Sequence, residues 1–74
     1  MDKIIRIAVD AMGGENSPLK NIEGIYLFYK KNKDKKDFFF NIFGNESKIN
    51  ELLKKFNISK DYYKIFHTDS VVSD

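Results

Sequence analysis

The stretch best equipped for chemistry in this 74-residue chain is Asp10-Ala11-Met12-Gly13-Gly14-Glu15-Asn16-Ser17-Pro18. It follows the apolar run Ile4 to Val9 and precedes a helix-like pattern, so it reads as a strand-to-helix turn. In a parallel α/β sheet such turns lie at the carboxyl ends of the strands, where ligands bind. Gly13 and Gly14 permit positive φ angles and let the main chain come close to a bound group. Pro18 suits the first helical position and Ser17 the N-cap before it. A helix beginning there presents free N–H groups and the positive end of its dipole, which suits an anion. The stretch lacks the third glycine of the dinucleotide fingerprint and the closing Gly-Lys-Ser/Thr of a P-loop. Two readings stand together on these grounds: an anion or substrate site, and a tight turn that is purely structural.

The neighbouring polar groups carry the same double reading. The Asp10 carboxylate would repel an anion unless it orients a hydroxyl, a metal or the loop's own N–H groups, and an Asx-type turn is the plain alternative. Asn16 can donate an amide hydrogen bond to a ligand oxygen or simply shape the helix entry. His67, the lone histidine, falls near the end of a third strand on the same rim as Asp10. It reads either as an acid–base group or as a structural contact. With no cysteine and no second histidine, nothing here suggests a metal site.

The elements that position these residues follow from apolar spacing. The β-branched run Ile4, Ile5, Ile7, Ala8 and Val9 predicts a strand buried on both faces. Leu19, Ile22, Tyr26 and Tyr29, widened by Ile25, predict an amphipathic helix from Pro18 to about Lys33. Gly24 within it suggests close helix–strand approach, and Leu27 falls on the other side. Phe38 to Phe43, closed by Gly44, predicts the second strand and a core role for Phe38, Phe39 and Phe40. Asn45 can cap a second helix carrying Ile49, Leu52, Leu53 and Phe56. Asn57 is its left-handed terminator, with Ile58 folding back. Ser59-Lys60-Asp61 turn the chain into a third strand, Tyr62 to about Thr68. Alternation of strand and helix with short links implies a parallel sheet with right-handed crossovers.

Composition sets outer bounds. With 42% hydrophobic and 32% charged residues the chain is globular, yet at this length it buries only about 60% of its unfolded surface. A net charge of +2 without arginine-rich or aromatic-basic repeats gives no support for nucleic-acid binding. The lysines at 30, 31, 33, 35 and 36 read as a solvated connection, or as a docking patch for an acidic partner or anionic membrane. No stretch has the length of a signal peptide core or membrane span, so a cytosolic chain is expected. The tail from Asp69 to Asp74 does not read as an element that closes a domain. Residues 1–74 therefore read as the amino-terminal part of one α/β domain in a longer protein.

Beyond these physical readings, DAMGGENSP after Ile7-Ala8-Val9 resembles the amino-terminal signature of bacterial phosphate acyltransferases. Asp10, Ala11, Met12, Gly13, Gly14 and Pro18 match that pattern position by position. Glu23-Gly24, Gly44-Asn45-Glu46, His67-Thr68 and Val71-Val72 extend it over essentially the whole chain. Glu15 stands where aspartate is usual, and Asn45 replaces another aspartate. The resemblance implies the first part of a larger three-layer, Rossmann-like sandwich related to phosphotransacetylases. It implies transfer of a fatty acyl group from acyl-acyl carrier protein to inorganic phosphate, with no cofactor and a homodimeric assembly. It also implies a substrate-binding wall made of Asp10, Ala11, Met12, Gly13, Gly14 and Asn16, with peripheral membrane contact and no nucleic-acid partner. The competing readings are another phosphate- or nucleotide-handling α/β enzyme, and an inactive fragment with only a binding role.

Overall fold

A computed structural model describes residues 3–12, 17–32, 34–35 and 37–68. The order is β1 (Ile5–Asp10), α1 (Leu19–Asn32), β2 (Phe38–Gly44), α2 (Glu46–Lys55), a single 3-10 turn (Lys60–Tyr62) and β3 (Tyr63–His67). The three strands form one parallel sheet in the order β1-β2-β3, with Val9 opposite Ile42 and Ile42 opposite Ile65. The expected α/β architecture is present.

Local chemistry accounts for the ends of these elements. Asn45 caps α2, its side chain accepting the Lys48 N–H at 3.0 Å. Asn57 takes the left-handed conformation with φ of 60°, and the Ile58 N–H reaches back to the Leu53 carbonyl at 3.1 Å. That hydrogen bond turns Ile58 into the core. Ser59 caps the 3-10 turn through the Asp61 N–H. At the end of α1, the Asn32 amide donates to the Phe28 carbonyl at 3.0 Å. The start of α1 differs from expectation. The Ile22 N–H bonds to the Pro18 carbonyl, which places Pro18 at the cap, and the Ser17 hydroxyl donates to the Asn21 side chain instead of accepting a helix amide.

The core lies between one face of the sheet and the two helices. Ile22, Ile42, Ile49 and Leu53 are fully buried there, joined by Ile25, Phe38, Phe40, Ile58 and Tyr62. Phe28 sits edge-on to Phe38 and Phe40, with centroids 5.0 and 5.7 Å away, and Tyr62 stacks on Phe38. Alternation along β2 sends Phe39, Asn41 and Phe43 to the opposite face, where they are half-buried.

That opposite face corrects the expectation of a first strand buried on both sides. Both crossovers run the same way across the sheet, and right-handed connections in one direction place their helices on one face. Ile7 and Val9 are half-buried under the helices, whereas Arg6, Ala8 and Asp10 are exposed. Among the described residues the bare face is covered by its own side chains. Arg6 lies over the Phe39 ring, Phe43 and Phe66 stack at 4.9 Å, and Lys64 lies over Phe66. Phe39 is therefore not core. Gly24 also departs from expectation: a Cβ there would meet nothing within 4 Å, so it mediates no close helix–strand contact. Leu27 is exposed.

Candidate functional site at the carboxyl ends of the strands

The three parallel strands end together, so Asp10, Gly44 and His67 share one rim. The sheet pattern continues one step past the strands. The Ala11 N–H donates to the Phe43 carbonyl at 2.8 Å and the Thr68 N–H to the Gly44 carbonyl at 3.0 Å. Ala11 is buried and packs beside Gly44. A Cβ on Gly44 would stand 2.9 Å from Ile49 Cδ1 and 3.0 Å from the Ala11 carbonyl oxygen. Gly44 is thus the glycine of close approach, and it seats the start of the β1–α1 turn against α2.

Asp10 adopts the Asx-type arrangement, its carboxylate accepting the Met12 N–H at 3.0 Å. The Met12 side chain is exposed, and the Thr68 hydroxyl donates to its sulfur. The amides of Ala11 and Met12 are therefore committed within the protein. Gly13, Gly14, Glu15 and Asn16 lie outside the described residues. The chain resumes at Ser17, whose hydroxyl donates to Asn21 Oδ1 at 2.5 Å; Asn21 Nδ2 in turn donates to the Asp10 carbonyl at 3.1 Å. Both ends of the glycine stretch are thereby linked through one side chain.

His67 makes a structural contact at the start of α2. Its Nδ1 accepts the Glu46 N–H at 3.1 Å, so it caps the first residue of α2 while Asn45 caps the third. Beside Ser17 and Pro18, a shallow groove of about 370 Å³ runs between the two helices, lined also by Leu19, Lys48, Glu51 and Leu52. The contributions of Asn21 and Gly44 are the ones that residue types alone did not reveal. Asn21 carried one faint signal, its spacing of four from Ser17 in the first turn of a helix. Gly44 looked like a strand terminator, because its crowding depends on Ile49 and Ala11 meeting across the fold.

The family model described as "Fatty acid synthesis protein" matches residues 5–74. The chain belongs to that family. It is 46% identical over 72 residues to a protein of Pelagibacter ubique named "Phosphate acyltransferase", covering 97% of this chain and 20% of that protein. A protein of the same name from Magnetococcus marinus is 38% identical over 68 residues, covering 92% of this chain and 19% of its own length. One from Lactobacillus johnsonii is 41% identical over 68 residues, again 92% of this chain and 19% of its own length. The chain thus spans about a fifth of the length of the curated relatives it matches.

Proposed function

We propose that residues 1–74 are the amino-terminal part of one α/β domain of an acyltransferase. Its reaction moves a fatty acyl group from acyl-acyl carrier protein to inorganic phosphate, giving acyl phosphate for phospholipid synthesis. What carries this reading is the family match over residues 5–74, set against a rim where the Asp10-to-Pro18 turn leads into a helix start. Relatives named for phosphate acyl transfer support the same direction.

A phosphate oxygen attacks the thioester carbonyl, the new C–O bond forms, and the C–S bond breaks to release the carrier's thiolate, which takes up a proton. No covalent enzyme intermediate is required, and a chain without cysteine suits that route. The protein's task is to hold phosphate against the carbonyl and to stabilise the developing oxyanion with fixed donors. We assign phosphate binding to the main chain of Gly13 and Gly14 and to the first-turn amides of α1, which have no intrahelical partner. Asp10 orders the turn by holding the Met12 N–H, Ala11 anchors it to the sheet, and Asn16 donates to the ligand. None of these is given the part of a general base. The reading includes acyl-acyl carrier protein and phosphate as partners, a cytoplasmic homodimer and peripheral contact with the inner face of the membrane. No helix of the described residues is long and apolar enough to cross a membrane.

The test is an assay of the full-length protein with acyl-acyl carrier protein and phosphate, trapping acyl phosphate with hydroxylamine. The wild type forms the product, whereas Gly13→Val remains folded and forms none. Absence of product from the wild type would remove the reaction. Unchanged turnover in the valine variant would remove the loop from the site.

A further inference from the structure

Parallel sheets occur almost always with both faces covered, and among the described residues both helices lie on one face. The strand register sets the other face out as three rows of side chains. Arg6 stands beside Phe39, then Ala8 beside Asn41 and Lys64, then Asp10 beside Phe43 and Phe66. Both cations lie over rings of this face, Arg6 at 6.0 Å from the Phe39 centroid and Lys64 at 5.3 Å from that of Phe66. Asp10 is the one carboxylate in these rows, and it accepts the Met12 N–H at the rim. We propose that the face docks an acidic amphipathic helix from the rest of the full-length protein. Its apolar stripe seats on Phe39, Phe43 and Phe66, and its carboxylates meet Arg6 and Lys64. This rests on residues 1–74 being part of a longer α/β domain, which requires a second layer but leaves the chemistry of that layer open.

Size, charge and polarity select this occupant. The chain spans about a fifth of the length of the relatives it matches, so the full-length protein has ample polypeptide to supply a helix. Since β1 and β3 flank β2, the Arg6 and Lys64 backbones stand about 12 Å apart, the width of one helix with its side chains. Between them Ala8 ends in a methyl group, which leaves a low place between Phe39 and the Phe43–Phe66 stack. Asn41, half-buried in the same row, carries an amide that can both donate to and accept from a polar residue of the helix. A second copy of this face would set two cations against two cations, which disfavours self-pairing. An anionic bilayer would match the charge. Insertion needs rings that project, however, whereas Phe39 and Phe43 are half-buried and lie against their neighbours.

The experiment uses the full-length protein carrying Ala8→Cys, with maleimide labelling at that position read by mass spectrometry in buffer and in urea. Labelling in buffer should be at least about a hundredfold slower than in urea, as a packed layer that opens only rarely would make it. In the wild type, a carbodiimide forms an amide bond between an amine and a touching carboxylate. It should join Lys64 to an aspartate or glutamate of the same chain beyond residue 74, and Lys64→Gln should lose that link. Mixing isotope-labelled with unlabelled subunits tells a link within one chain from a link between two. Rapid labelling at position 8 in buffer would overturn the cover, and protection seen only with phosphatidylglycerol vesicles would give the face to a bilayer. A Lys64 link between subunits would make it a dimer surface instead. Protection without a Lys64 link to the segment beyond residue 74 would overturn the acidic chemistry. None of these readouts depends on turnover, so a wild type that forms no acyl phosphate would end the functional reading and leave the docking surface standing.

Discussion

Between β2 and α2 the chain turns through the single residue Asn45, and the new helix finds its caps at once. Asn45 meets the Lys48 N–H and His67 meets the Glu46 N–H. Between β1 and α1 the chain uses residues 11–18, and at its far end Ser17 turns its hydroxyl toward Asn21. Among the described residues, no side chain accepts from the first-turn amides of α1. The two turns stand on the same rim of the same sheet, so position alone does not make a site. A helix end whose first and third amides are already matched has less left for a ligand. The contrast gives the tight turn structural work and is consistent with the binding role proposed for the long one.

Gly44 is the place where both turns break together. Gly44→Val would drive its side chain into Ile49 and the Ala11 carbonyl, and overpacking of this kind costs about 1–3 kcal/mol or more. Urea unfolding of the full-length protein should show that loss, with acyl phosphate formation falling as Ala11 is displaced. A wild-type midpoint and rate would mean that the turns do not lean on each other. The next effect separates the turns. Asn45→Ala should cost about 1 kcal/mol, as loss of an N-cap does, while phosphate KM is unchanged. His67→Ala should cost on the order of 0.5–1 kcal/mol for loss of the exposed hydrogen bond from the Glu46 N–H, again without moving phosphate KM. A catalytic loss far beyond its stability loss would make His67 part of the chemistry and erase the contrast. The smallest change has the opposite sign. Gly24→Ala, in open space inside α1, should stabilise the protein by up to about 1 kcal/mol and leave turnover alone. That result would show that the helix can be strengthened without altering its amino end.

Much of this arrangement was legible in the residues. Short apolar runs located the three strands, and the 3.6-residue spacing of apolar side chains located the two helices, within a residue or two. Asn45 and Asn57 were readable for a different reason: their short polar side chains act on the backbone beside them. What escaped depends on partners distant in sequence. β1 looks buried on both sides because its residues are apolar, but cover is supplied by helices whose side is set by crossover direction. Gly24 and Gly44 are identical as letters; only the fold shows that one faces open space and the other faces Ile49. Ser17 read as the N-cap, whereas its pairing with Asn21 emerges only when the strand end comes within reach. At the candidate site, the turn was visible from its glycines, whereas the commitment of the Ala11 and Met12 amides required the register with β2.

The bare side of the sheet, with Phe43 stacked on Phe66, constrains how such a fold can grow. A strand added beyond β3 by another right-handed connection brings its helix to the side already roofed by α1 and α2. Only polypeptide that doubles back to the free margin of β1 lays a helix across those aromatic rings. Reversal at that margin splits the loops apart above Asp10, so the handedness of two connections decides where a cleft can open.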